Sequence, residues 1–99
     1  MSVQQVDRRN LDLTYRLNIG DELRLEASLL GADMVFYAGM IDKERFSLLF
    51  TKQTLFFNHA MGNLYYPTYR AQIRVAHHRL NVIEVEQDHI VLKYLGIES

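Results

Sequence analysis

Two stretches of this chain alternate residue by residue between apolar and polar side chains, and this alternation limits the fold more than any other feature. In Leu11-Asp12-Leu13-Thr14-Tyr15-Arg16-Leu17-Asn18-Ile19 the odd positions are apolar and the even ones polar. Leu23-Arg24-Leu25-Glu26-Ala27-Ser28-Leu29 repeats the pattern. A period of two is the mark of a strand with one face buried and the other in water. Gly20-Asp21 and Gly31-Ala32-Asp33 follow the two runs as turns.

The rest of the chain continues in the same style. Met34 to Ile41 is apolar throughout and rich in strand formers, so it reads as a strand buried on both faces, with Gly39 marking a bulge or bend. Asp42-Lys43-Glu44-Arg45 is a charged turn. Phe46 to Phe57 reads as a strand, although Phe46, Leu49, Phe50 and Phe57 also fall near one helical face with Asp42 placed to cap it. Asn58–Asn63 reads as a loop. Tyr65–Val75 is expected to be one strand, with Tyr69, Ala71, Ile73 and Val75 facing inward and Arg70, Gln72 and Arg74 outward. Val82–Glu86 and His89–Tyr94 flank Gln87-Asp88 as a hairpin. The expected fold is all-β and mainly antiparallel: a six- or seven-stranded small barrel or sandwich, with room for one short helix. Residues 1–10 show no period and read as a flexible N-terminal arm ahead of a single β-rich domain at 11–99.

Composition supports one packed core. Apolar residues are 48% and charged residues 23% of the 99, near the globular average. There is no cysteine, which excludes disulfides and thiolate chemistry. The first residues lack the apolar stretch of a signal peptide, and no apolar run approaches the ~20 residues that span a bilayer. A cytoplasmic protein with no membrane partner is expected.

Charge is distributed unevenly. The net charge is −1, yet from Arg45 to Ile83 there is no acid, against the bases Arg45, Lys52, Arg70, Arg74 and Arg79. Three tyrosines and three arginines interleave between Leu64 and Arg79, the pattern of a single-stranded nucleic-acid groove. The candidate binding face is Tyr65, Tyr66, Arg70, Arg74, His78 and Arg79. The competing reading puts Tyr69 in the core and pairs the arginines with Glu26 or with the carboxylates of Glu84–Asp88.

Catalytic signatures are lacking. His77 and His78 are adjacent, and neighbours on a strand point to opposite faces, so the pair is not expected to bind one metal ion. Glu84, Glu86 and Asp88 share one solvated strand face. The five glycines are isolated and form no phosphate cradle. No catalytic residue, metal or cofactor is therefore expected.

Apolar residues are in excess instead. Phe46, Leu48, Leu49, Phe50, Leu55, Phe56 and Phe57 crowd together after the apolar run at Met34–Ile41, and a surplus greasy face needs a cover. Phe36, Leu49 and Phe56 form the candidate oligomer surface. The expected function is a non-enzymatic β module that forms a homodimer or higher oligomer and binds another macromolecule. The alternative is a single-stranded nucleic-acid-binding small barrel. A small-ligand domain, or an enzyme built from scattered acid–base residues, is the third.

The run from Ile19-Gly20-Asp21-Glu22-Leu23 to Phe46-Ser47-Leu48-Leu49 resembles, in its periodicity, the split-barrel N-terminal domains of bacterial flagellar-brake proteins. The resemblance covers half the chain and implies a barrel-like fold only. The cyclic-dinucleotide motif of the neighbouring PilZ family, Arg-x-x-x-Arg followed by Asp/Asn-x-Ser-x-x-Gly, is absent, and no site residue is implied.

Overall fold

The computed structural model describes residues 2–28, 31–54 and 58–97. These form nine strands and no helix: β1 (Val3–Gln5), β2 (Thr14–Asn18), β3 (Glu22–Ser28), β4 (Gly31–Asp42), β5 (Arg45–Thr54), β6 (Asn58–Pro67), β7 (Gln72–Val75), β8 (His78–Val85) and β9 (His89–Ile97). They make two sheets, one ordered β1-β3-β4-β5-β6 and the other β2-β9-β8-β7. Every pairing is antiparallel except β1 with β3.

Alternation builds the core. Leu23, Leu25, Val35, Tyr37, Phe46, Leu48 and Phe50 face inward from the five-stranded sheet. Tyr15, Leu17, Ile73, Val75, Leu80, Ile90, Leu92 and Tyr94 meet them from the four-stranded sheet. Val6 joins this core, and Ser2 donates its backbone N–H to Asp21 Oδ1 at 2.9 Å. The stretch read as an arm thus contributes a short strand and a core side chain.

The structure differs from the expectation at several places. β2 covers only Thr14–Asn18 of the first alternating run, and Leu11, Leu13 and Ile19 beyond its ends are exposed. Gly31–Asp33, expected as a turn, opens β4. Residues 58–63 are strand rather than loop, because β6 pairs with β5 from Gln53↔Asn58 onward. A register shift there is accommodated at Gly62, whose φ of +112° favours a residue without Cβ. Tyr65–Val75 is not one strand. β6 ends at Pro67, which has no N–H to donate, and Arg70 N–H closes a turn onto Pro67 O at 3.1 Å. The chain there crosses from one sheet to the other, and Tyr69, expected in the core, stands 84% exposed. The competing helix over Phe46–Phe57 gives way to strand for Arg45–Thr54. Residues 55–57 of that segment lie outside the described residues.

The sheets approach each other edge to edge at two seams. On one side, Gln4 of β1 donates Nε2–H to the Arg16 carbonyl of β2 at 2.7 Å. On the other, the Tyr66 hydroxyl of β6 donates to the Arg74 carbonyl of β7 at 2.8 Å. Burial pushes the Tyr66 hydroxyl up to about 12, so this donor keeps its proton at any physiological pH.

Candidate functional site

The structure disperses the six residues of the expected Arg/Tyr face. Tyr65 is exposed and lies on the outside of the five-stranded sheet, opposite Ser47. Tyr66 turns inward, 5.5 Å from the Phe46 ring. Arg70 is exposed in the turn after β6. Arg74 and Arg79 sit directly opposite each other on the outside of the four-stranded sheet. His78 does not continue that face: it is fully buried.

Strand register adds two cations to the Arg74–Arg79 pair. Lys93 lies opposite Asn81 and Thr14, and Arg16 lies opposite Val91, so both project from the same outer face. Uncharged Gln72, Asn81, Thr14 and Asn18 fill positions between them. Glu84 is on this face at the end near the β8–β9 turn, where His89 Nε2 holds it at 2.7 Å. Asp88 Oδ1 holds the other ring nitrogen, His89 Nδ1, at 2.8 Å. Glu84 and Asp88 thus gather at one end, where Arg16 lies across Val91 from Glu84, and Arg74 and Arg79 stand at the other. Like charges directly across a ladder repel. Arg79 Nε is buried and has no hydrogen-bond partner.

Of the expected oligomer surface, Phe36 and Leu49 come together. They are paired across β4 and β5 on the outside of the five-stranded sheet, and both are half-buried. Met34 lies on the same face one pair along and is buried without belonging to the core cluster. Phe56 lies outside the described residues.

A third locus was not expected from the sequence. Glu26, Asp33, His77 and His78 bring one donor atom each to within 4.8 Å of one another. Their convergence has local causes. In β3 a register shift between Arg24 and Glu26 breaks the alternation and sets Glu26 opposite Asp33, which shares the inward face of Val35. Strict alternation points Glu26 outward with Arg24. β7 and β8 are joined by a two-residue turn, Ala76-His77, in which Ala76 has a φ of 53°. His77 is therefore a turn residue, not a strand residue. The opposite-face rule does not separate it from His78, and the two rings lie 4.3 Å apart.

The geometry within the cluster is tight on its buried side. His78 Nε2 is 2.9 Å from Asp33 Oδ2, and His78 Nδ1 is 2.8 Å from the Tyr94 hydroxyl. Asp33 and Tyr94 are themselves buried. The outer side is looser. Glu26 Oε2 is 3.6 Å from His77 Nε2 and 3.9 Å from His78 Nε2, and Glu26 Oε1 is 3.8 Å from Arg8. A cavity of about 200 Å³ opens beside the cluster, bordered by Glu26, Asp33, Lys52 and His77. Among the described residues no helix is long and apolar enough to cross a membrane. In comparisons with models of protein families, with curated proteins and with solved structures, this chain has no match.

Proposed function

We propose that the chain is a cytoplasmic binding module, a small β-sandwich or barrel that takes up single-stranded nucleic acid on the outer face of its four-stranded sheet. The observation that carries this reading is the presence of Arg74, Arg79, Lys93 and Arg16 on that one face, Lys93 lying 3.9 Å from the exposed Asp12 carboxylate. A polyanionic strand is drawn electrostatically to a face that carries these cations. Exposed Tyr69 and Arg70, in the turn leading into β7, extend the face with a ring on which a base can stack.

Anisotropy of a labelled oligo-dT strand, titrated with protein at several salt concentrations, tests the reading. Affinity is expected to fall with salt, with a log–log slope of about −0.7 for each phosphate neutralised. The Arg74→Gln, Arg79→Gln double variant is expected to bind more weakly and to flatten that slope by about 1.4. An absence of binding at low salt rejects the proposal.

A second reading, self-association, rests on a different face. Phe36 and Leu49 remain half-buried on the outside of the five-stranded sheet, and exposed Tyr65 borders them on β6. A second copy laid on this face removes that apolar area from water.

A further inference from the structure

The geometry points to a binding site for one divalent transition-metal ion, Zn²⁺ or a close first-row neighbour, held by His77 and His78 with Glu26 and Asp33. Four observations support it. The donors come from three separate places in the chain, namely β3, β4 and the β7–β8 turn with the first residue of β8, and their atoms meet within 4.8 Å. In a tetrahedral site with metal–ligand distances near 2 Å, ligand atoms stand about 3.3 Å apart. His78 and Asp33, at 2.9 Å, and His77 and Glu26, at 3.6 Å, already stand near that spacing.

The second observation is the orientation of His78. A metal-bound imidazole commonly donates its other ring N–H to a fixed partner, which sets the tautomer and aims the free lone pair. The buried Tyr94 hydroxyl, 2.8 Å from His78 Nδ1, is such a partner, and it leaves Nε2 directed at Asp33 and Glu26. Tyr94 is therefore a positioning residue.

Charge is the third. Glu26 and Asp33 are cross-strand partners, and two carboxylates set opposite each other repel. A divalent ion seated between them offsets that repulsion. Half of the donors are imidazole nitrogens, which favours Zn²⁺ and its neighbours over Ca²⁺ or Mg²⁺.

Access is the fourth. His78 and Asp33 form a buried inner pair, whereas His77 and Glu26 are about half exposed and border the 200 Å³ cavity. An ion therefore enters past His77 and Glu26 and seats against His78 and Asp33. Arg8, at 3.8 Å from Glu26, competes for that carboxylate and moderates the affinity. Among the described residues, the histidine cluster around His89 lacks this convergence. His89 meets Asp88 through Nδ1 and Glu84 through Nε2, on opposite sides of its ring, so those carboxylates do not share one ion with it.

The full chain, stripped with a chelator, is titrated with Zn²⁺ in a calorimeter and with Co²⁺ in an absorption spectrometer. One ion per chain is expected, with tetrahedral-type Co²⁺ bands and a rise in melting temperature on loading. His77→Ala and Glu26→Gln change half-exposed side chains, so the metal-free fold persists, and each is expected to weaken Zn²⁺ binding at least tenfold. Tyr94→Phe keeps the ring and is expected to weaken binding 10- to 100-fold by releasing His78. His89→Gln is expected to bind as the parent does. The inference is overturned by failure to bind Zn²⁺ at micromolar concentration. It is equally overturned by binding that survives the His77→Ala, Glu26→Gln double variant, or by binding that His89→Gln abolishes.

Discussion

His89 shows how much one side chain can tie down. It clamps Asp88 at 2.8 Å and Glu84 at 2.7 Å, and so links the tip of the β8–β9 turn to the strand before it. The two carboxylates, Glu84 foremost, hold the imidazole pKa above its usual value near 6.5, against an opposing effect from Arg16. A histidine whose folded pKa is raised stabilises the fold fully below its unfolded pKa, and that contribution is lost as pH rises through the folded pKa. Asp88 is shifted the other way, its carboxyl held below the usual range chiefly by His89. Its contribution is present above the unfolded aspartate value and fades as pH falls through the lowered one. The pair is thus strongest between roughly pH 4 and the raised histidine value. Thermal melts from pH 6 to pH 8.5 are expected to show a fall in melting temperature that is smaller in His89→Gln. Parallel curves for the two proteins would contradict this account.

Among the strands, the Tyr66 seam is the element most open to test. One hydroxyl joins β6 to β7, and its ring packs on Phe46. Tyr66→Phe keeps the packing and removes the bond, so denaturant melts are expected to show a loss of about 1 kcal/mol. Strands β2 and β3 were legible because period-2 alternation writes burial directly into the order of residues, and Leu17, Leu23 and Leu25 are buried as that pattern requires. Alternation stops being informative where a bulge intervenes. The register shift before Glu26 leaves no mark in Leu23–Leu29, yet it turns a surface carboxylate toward Asp33. The turn at Ala76-His77 was hidden for a related reason: a positive φ at its first position is usually announced by glycine, and here alanine takes it. An adjacent His-His pair at the end of a strand run was the signal available. It bears on the four-residue cluster only once that turn is known. Tyr69 is misplaced by the alternating pattern because the chain does not run as one strand from Tyr65 to Val75: β6 ends at Pro67.

For the molecule as a whole, the two outer faces differ in chemistry. The four-stranded sheet presents cations and amides, with Glu84 at one end, while the five-stranded sheet presents Phe36, Leu49 and Tyr65. If the apolar face pairs with a second copy, sedimentation equilibrium at tens of micromolar is expected to give about twice the chain mass of 11.6 kDa. A mass that stays at the single-chain value across that range rules the pairing out. The seams bear on a different property. Each sheet is a continuous ladder within itself, whereas the edge strands β6 and β7 meet through the Tyr66 hydroxyl rather than through a ladder. Edge strands open at less cost than central ones, while the core that both sheets share holds the centre together. In native-state hydrogen exchange, the amides of β6 and β7 should therefore exchange through local opening, while those at the centre of β4 and β9 wait for the chain to unfold completely.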